Sequence, residues 1–307
     1  MSYIIEEKIR IGISACNFGS KVRWNNKGWD RVTPIGRERD AFIWTPVCPE
    51  VASGMGVSRP PIRLTGGNGD DVWNGKAKVK NRFGTDVTDS LKKGCEESMD
   101  QLQRAGVDAF VFMEGSPTCG VYRTTLKNKR LGKPPGVFGS LLLKEDLFLI
   151  PALDLDSPVK WWDWRRRLHA FVWLKNADIT TKSELYEVWH TYKFLCQEIN
   201  REIADTIGKD LAHMPKRLTK AYITNWKKDV LQLLRLPSNF NRIFGHMTKH
   251  YDYYRSHINS SANKWQDDIW KTMSKHEFVS VLQSLEKQVI TENSISLLTP
   301  VIYKQKR

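Results

Sequence analysis

The sequence has no apolar run that approaches the roughly 20 residues of a membrane-spanning helix. Its first residues, MSYIIEEKIRIG, contain two acids and lack the basic start and long apolar stretch of a signal peptide. Five cysteines are too few and too scattered for a disulfide scaffold. Acidic residues are also scarce, because 34 Asp and Glu face 48 Lys and Arg and leave a formal charge of +14. We therefore expect a soluble cytoplasmic protein in reducing surroundings, with an anionic partner and no membrane contact.

Apolar residues make up 40% of the 307 positions, which is enough for about two domains. In the first half, three runs have the length and the β-branched or aromatic content of strands: Ile9–Ala15, Ala41–Val47 and Asp108–Met113. Val87–Ala105 has helical periodicity, and Ser140–Ile150 predicts a short helix that leads into a further strand. Strands that alternate with helices predict a Rossmann-like α/β domain with a mostly parallel sheet.

The second half differs in composition, since Gly208 and Gly245 are the only glycines after residue 156. Three segments there have helical periodicity: Glu184–Asp205, Lys216–Leu234 and Thr272–Thr291. We predict a hinge within 151–158, an α/β domain over residues 1–155 and an all-α domain over residues 156–307. The basic excess is larger in the helical half, +9 against +5.

Three of the cysteines share a topological position. Cys16 and Cys48 end the first two predicted strands, and Cys119 lies just beyond the third. The carboxyl ends of parallel strands meet at one sheet edge, where open α/β folds bind ligands. Three thiols without an obvious fourth ligand suit a closed zinc site poorly, but they suit an iron–sulfur cluster with one open iron. The alternative is that they are small buried hydrophobic residues, which is our interpretation of Cys95 and Cys196 on helical stripes.

Two polar residues accompany these cysteines. Glu50 follows Cys48 after one proline, and it either complements a helix dipole or handles a proton beside a cluster. Ser116 precedes Cys119 by three residues, and it either forms a turn or donates a hydrogen bond to a substrate. The residues alone leave both alternatives open.

Residues 8–153 resemble the thiouracil desulfidase (TudS) family through five segments in order: ISAC (13–16), VRWN (22–25), PVCPEVASGMGVSRPP (46–61), GTDVT (84–88) and EGSPTCGV (114–121). The resemblance implies that Cys16, Cys48 and Cys119 hold a 4Fe–4S cluster whose fourth iron captures the sulfur of a thiolated pyrimidine. It also implies catalytic roles for Glu50 and Ser116. The chain departs from the family at CNFG and RWN, so we expect Asn17, Trp24 and Asn25 to tune substrate contacts.

The helical half carries a second resemblance, in SPVKWWDWRRRLHAFVWLK (157–175) and ITTKSELYEVWHTYKFL (179–195). Both resemble the helical domain fused behind this desulfidase domain in the RudS family, which removes the sulfur of 4-thiouridine from tRNA. VWHTYK stands where that family commonly has FHTRHK, so only Lys193 and a shifted His190 correspond.

Basic side chains that neutralise phosphates would explain the charge of the helical half. The candidate RNA-binding residues are Arg165, Arg166, Arg167, Lys216, Arg217, Lys220, Lys227, Lys228, Arg242, Lys249 and Arg255. The main hypothesis is an iron–sulfur desulfidase of thiolated uridine, with 4-thiouridine in tRNA as the expected substrate. The alternatives are a desulfidase of free thiouracil or another thiolated nucleobase, and a non-catalytic RNA-binding module that contains a cluster.

Overall fold

The computed structural model describes residues 3–126, 129–130, 132–237, 239, 241–245, 274, 277–278, 280–281, 283–284 and 299–305. The chain divides into two compact units, here called the sheet unit (Lys8–Ser157) and the helical unit (Met1–Glu7 with Pro158–Arg307). The predicted fold class, a mostly parallel α/β region followed by a helical region, is confirmed. Within the described residues, no helix is both long enough and apolar enough to cross a membrane.

The described strands are β1 (Tyr3–Ile5), β2 (Ile9–Ser14), β3 (Phe42–Val47), β4 (Ile62–Thr65), β5 (Lys78–Asn81), β6 (Ala109–Phe112), β7 (Thr125–Leu126), β8 (Lys129–Arg130), β9 (Phe148–Pro151) and β10 (Val301–Tyr303). The described α-helices are α1 (Pro49–Ala52), α2 (Gly69–Trp73), α3 (Thr88–Arg104), α4 (Val137–Lys144), α5 (Pro158–Asn176), α6 (Lys182–Ile199), α7 (Arg201–Ala212) and α8 (Lys220–Leu234).

The sheet unit is built on four parallel strands in the order β3-β2-β6-β9. The three predicted strand runs are confirmed as β2, β3 and β6, and the predicted helix–strand pair is confirmed as α4 and β9. Phe110 and Phe112 share a buried cluster with Leu102 of α3 and Phe138 of α4. Two helices thus cover one face of the sheet, and β2 and β6 are its central strands.

Helix α3 also supports the short helix α1, which begins directly after Cys48. Gly94 of α3 lies so close to this segment that an added Cβ would be 2.3 Å from the Pro49 carbonyl oxygen and 2.5 Å from the Ser53 nitrogen. Since backbone atoms on both sides cannot move cheaply, only glycine allows this approach. The packing fixes the segment that carries Glu50.

The helical unit is built around α5, where Trp161, Trp162 and Trp164 are almost fully buried. The periodic segment Glu184–Asp205 is helical on both sides of a break, because Asn200 adopts extended backbone and its side chain caps α7 by accepting from the Ile203 N–H. The N-terminal strand β1 pairs in parallel with β10, so the first residues belong to this unit. Most of the predicted helix Thr272–Thr291 lies outside the described residues.

Candidate active site

Three free thiols follow three neighbouring strands of the sheet. Cys48 comes directly after β3, Cys16 lies in a 3₁₀ turn after β2, and Cys119 lies in the turn region beyond β6. Because β2 lies between β3 and β6, the three strands are successive and their carboxyl ends form one edge. The Cys119 thiol is close enough to those of Cys16 and Cys48 to interact with them electrostatically. The fold therefore brings these cysteines to one edge of the sheet, and their role as metal ligands stays a prediction.

Burial governs the protonation of all three thiols. It raises the pKa of Cys16 to about 11, although the nearby positive charge of Arg23 opposes the rise. It likewise raises the pKa of Cys48 and, further, that of Cys119. A metal ligand must be a thiolate, so a bound metal centre has to displace these protons, and its positive charge would add to that of Arg23 and Arg59 in stabilising the thiolates.

The donor set distinguishes between metal centres. Structural zinc sites take four protein ligands, whereas three soft thiols suit an iron–sulfur cluster that keeps one iron open. In the described parts of the chain, no set of three or more His, Cys, Asp and Glu side chains is arranged to hold a metal ion.

Glu50 is held beside Cys48 by two partners that fix its carboxylate. The guanidinium of Arg59 donates through Nε to Oε2 at 2.8 Å and forms a second, shorter contact through Nη2. The hydroxyl of Thr118 donates to Oε1 at 2.8 Å. Arg59 is only 6% exposed and also donates to the carbonyl oxygens of Val22 and Gly56. One buried arginine thus orients the carboxylate and anchors two loops.

Ser116 lies at the start of the turn that carries Cys119. Its Oγ accepts hydrogen bonds from the backbone N–H groups of Thr118 and Cys119, both at 3.1 Å. A hydroxyl group has two acceptor lone pairs and one proton, so after these two bonds the group can still donate its proton in a hydrogen bond. The structure therefore shows the turn-forming role, and the same geometry leaves Ser116 as a hydrogen-bond donor.

Sequence reasoning missed four polar residues of this site: Ser14, Arg23, Arg59 and Thr118. The Ser14 hydroxyl hydrogen-bonds the Cys119 thiol and accepts from the Met113 N–H at 3.3 Å. Arg23 hydrogen-bonds the Cys16 thiol. All four lie inside segments that carry the family resemblance, so that resemblance was the available signal.

The basic residues predicted to bind RNA require a correction. Arg166 and Arg167 are 0% and 1% exposed, and both pair with Asp163 inside the helical unit. Arg166 also pairs with Glu198, and Arg167 donates to the carbonyl oxygens of Leu234 and Leu236. Buried and ion-paired, these two guanidinium groups cannot reach phosphates, so their assignment to an RNA surface is wrong.

The remaining candidates differ in exposure. Lys227 is half-buried and donates to the carbonyl oxygens of Lys175 and Ala177 at 3.1 and 2.8 Å, and burial lowers its pKa. Its role is therefore to close the carboxyl end of α5. Arg165 is half-buried, whereas the exposed candidates are Lys216, Arg217, Lys220, Lys228 and Arg242. Two further candidates, Lys249 and Arg255, lie outside the described residues.

Comparisons with known proteins bear on the sheet unit. A family model described as 2-thiouracil desulfurase matches residues 11–152. The uncharacterized protein YbbK of Bacillus subtilis (strain 168) is 30% identical over 150 residues, which cover 47% of this chain and 97% of that protein. The chain belongs to the 2-thiouracil desulfurase family. The matched region contains all three clustered cysteines together with Glu50 and Ser116.

A solved structure titled as a [4Fe-4S]-dependent thiouracil desulfidase, TudS, is 25% identical to this desulfurase-family chain, with a TM-score of 0.38. The likeness covers 47% of this chain and 91% of that one. The family model and the identity to YbbK confirm the family resemblance of the sheet unit, and with it the coarse expectation of an enzyme that cleaves a C–S bond of a thiolated pyrimidine.

Proposed function

We propose that this protein is a desulfidase that converts thiolated uridine, and specifically 4-thiouridine in tRNA, to uridine with release of sulfide. We assign a 4Fe–4S cluster to Cys16, Cys48 and Cys119. The observation that carries the proposal is the grouping of three free thiols at one sheet edge with a fixed carboxylate, Glu50, beside Cys48. Membership of the desulfurase family supports the reaction class.

The reaction is a hydrolysis and needs no oxidant. Water adds at the carbon that bears sulfur, the C–S bond breaks, and the sulfur leaves with both protons of that water as hydrogen sulfide. When bound, the cluster supplies an open iron as a Lewis acid whose softness matches that of the thiocarbonyl sulfur.

The protein's own side chains supply the remaining chemistry. Glu50 Oε2 accepts two hydrogen bonds from Arg59, whereas Oε1 accepts one, from Thr118, so Oε1 keeps a lone pair that can take a proton from water. Arg59 and Thr118 hold this carboxylate in a single orientation, which lowers the cost of reaching the reactive geometry. Ser116 offers its O–H to the pyrimidine ring and orients the base.

Free thiouracil is the second candidate substrate, and the part of the chain that the comparisons cover favours it. The family match and the relative's identity fall on the sheet unit, and two of the predicted RNA-binding arginines are buried. The excess charge of the helical half and the exposed Lys216, Arg217, Lys220 and Lys228 support the RNA substrate instead.

The experiment is nucleoside mass spectrometry of tRNA that contains 4-thiouridine, before and after incubation with protein purified anaerobically and reconstituted with iron and sulfide. We expect 4-thiouridine to decrease, uridine to increase and sulfide to appear. Conversion of free thiouracil alone would favour the second candidate. Protein that binds zinc and no iron after reconstitution would overturn the cluster assignment.

A Glu50→Gln variant separates an enzyme from a non-catalytic module. Glutamine keeps the size and hydrogen-bonding reach of the side chain but cannot take the proton, so we expect kcat to fall by about 10²–10⁴. Iron content measured in parallel must stay at the wild-type value. Equal turnover by this variant and the wild type would remove Glu50 from the chemistry.

A further inference from the structure

The loop Phe18–Arg31, here called the cysteine loop, leaves the 3₁₀ turn that holds Cys16 and returns to it. The Trp29 N–H donates to the Cys16 carbonyl at 2.7 Å, and the Arg31 N–H donates to the Asn17 carbonyl at 3.0 Å. At its far end, the Arg23 N–H donates to the Lys27 carbonyl at 3.2 Å and closes a tight turn. The loop is therefore a fixed projection beside the candidate active site.

Two further contacts tie this loop to the reactive groups. Arg23 hydrogen-bonds the Cys16 thiol, and its guanidinium lies 4.4 Å from the ring centre of Trp29. Arg59, which orients Glu50, donates to the Val22 carbonyl at 3.0 Å. A strand of nucleic acid that delivers a base to Cys16 and Glu50 would pass this loop.

The loop exposes aromatic rings to an unusual degree. Trp24 at its tip is 44% exposed, Trp29 is 39% exposed and Phe18 is 37% exposed. Large aromatic side chains are normally well buried, and a group of exposed ones marks an interaction surface. Every nucleobase has a face that can stack on such a ring, so a ring beside positive charge suits an unpaired strand.

The charge of the loop points to the same kind of partner. It contains four cationic residues and one acid, and both Lys21 and Lys27 are exposed. The acid, Asp30, accepts hydrogen bonds from the Val32 and Thr33 backbone and from the Thr33 hydroxyl. Its carboxylate is thus engaged locally. Among the cations, Arg31 pairs with Asp156 and Arg23 with Cys16, so the exposed Lys21 and Lys27 remain to meet phosphates.

We propose that the cysteine loop docks the single-stranded RNA that flanks the thiolated base. Trp24 stacks on a neighbouring unpaired base, and Lys21 and Lys27 contact phosphates. This inference rests on the proposed RNA substrate and places one of its contacts in the sheet unit. A free pyrimidine held at the cysteines and Glu50 has no flanking nucleotides to meet the tip of the loop.

The first test measures binding without turnover. The full-length, reconstituted protein is titrated into a fluorescein-labelled single-stranded RNA nonamer that contains uridine, and anisotropy is followed at several salt concentrations. Stacking on one aromatic ring contributes about 1–3 kcal/mol, so Trp24→Ala is expected to weaken binding about tenfold. Phe83→Ala is the matched control, because Phe83 is 69% exposed on the same unit but lies outside the loop. Equal affinities for these two variants would overturn the proposal.

The second test separates the two contacts. The double variant Lys21→Met, Lys27→Met should make the plot of log affinity against log salt less steep by about 1.4, since each phosphate contact contributes about 0.7 for a single strand. Lys76→Met, an exposed lysine elsewhere on the unit, should leave the slope unchanged. An unchanged slope in the double variant would remove the lysines from the interface.

The third test uses turnover to separate the docking proposal from the proposed function. The ratio of kcat/KM for a nonamer with one 4-thiouridine to kcat/KM for free 4-thiouracil should fall about tenfold in Trp24→Ala and stay constant in Phe83→Ala. A constant ratio in Trp24→Ala would contradict docking while leaving the desulfidase activity established. Absence of turnover with every substrate would contradict the proposed function, and the binding titration would still decide the docking.

Discussion

In the helical unit, Trp162, Trp164 and Arg166 are almost completely buried, whereas Trp24 and Trp29 in the sheet unit are exposed beside cations. Cation–π contacts occur in both places, at 4.2 Å for Arg166 over Trp162 and 4.4 Å for Arg23 over Trp29. In the helical unit this pairing stabilises a core, and in the sheet unit it shapes a surface. The comparison shows that an arginine- and tryptophan-rich segment does not by itself indicate a nucleic-acid interface.

The cysteines give a parallel contrast between the units. Cys196 is fully buried in the helical unit, and burial raises its pKa without help from a charged neighbour. Cys16 and Cys48 are partly exposed at the sheet edge and interact with one another and with Glu50. Thiols with polar and charged neighbours at a strand end are chemically available, while an isolated buried thiol only packs.

The largest expected effect comes from removing a proposed cluster ligand. Cys16→Ser should abolish iron binding after reconstitution and reduce sulfide release to background, because three thiolates are the complete protein contribution to the proposed cluster. Cys196→Ala removes a thiol from the helical unit and should keep full iron content. Iron analysis and visible absorbance of both variants make the measurement. Retained iron in Cys16→Ser would break the contrast between the two kinds of cysteine.

The next effect concerns the buried ion pairs of the helical unit. Asp163→Ala leaves Arg166 and Arg167 buried beside fewer negative charges, so the unit should lose about 3–5 kcal/mol of unfolding free energy. The exposed acid Asp229 is the matched control, and Asp229→Ala should change stability by less than about 0.5 kcal/mol. Urea unfolding followed by tryptophan fluorescence compares them. Equal midpoints would show that these arginines do not depend on Asp163.

In the sheet unit, the corresponding buried arginine should affect catalysis. Arg59→Met removes both donors to Glu50 Oε2 and leaves only Thr118 on Oε1, so we expect kcat to fall about 100-fold from misplacement of the carboxylate. Arg59→Lys should recover part of that loss, because it restores a positive donor. Arg63→Met, at an exposed position of β4, is the control. If Arg59→Met changes KM alone, Arg59 does not act through the orientation of Glu50.

The stability of the helical unit should depend on pH through one buried histidine. Burial, reinforced by the charge of Arg165, lowers the pKa of His169 in α5 to about 3. Between pH 6.5 and about 3 the unfolded state binds a proton that the folded state does not, so stability falls as the pH decreases. At pH 5 this cost is about 2 kcal/mol relative to pH 7.5. Urea midpoints of His169→Gln should show a smaller change between these pH values than those of the exposed-site control His213→Gln.

The smallest expected effect on stability concerns the exposed basic surface of the helical unit. The double variant Lys216→Ser, Arg217→Ser should change unfolding free energy by less than about 0.5 kcal/mol, since both side chains are exposed. If these residues contact tRNA, the same variant binds it with a weaker salt dependence. A wild-type salt slope would confine RNA contacts to other residues.

Local patterns were sufficient to predict several parts of the fold. Runs of apolar and β-branched residues predicted β2, β3 and β6, and the periodicity of residues 87–105 predicted α3. These succeeded because a strand or helix depends mainly on residues within a few positions of one another. The helical periodicity of Glu184–Asp205 was confirmed, but it did not reveal the helix boundary at Asn200, since the apolar period continues through that cap.

The amino-acid sequence by itself determined the type of sheet, the position of the three cysteines at its edge and, through ordered motifs, the family. Tertiary structure decided which charged groups serve chemistry and which serve the core. Arg166 is buried because Glu198, 32 positions away, reaches it, and Glu50 is oriented because Thr118, 68 positions away, donates to it. Such pairs form only when distant segments pack together, because a buried charge without its partner is strongly destabilising. No local sequence pattern therefore predicts them.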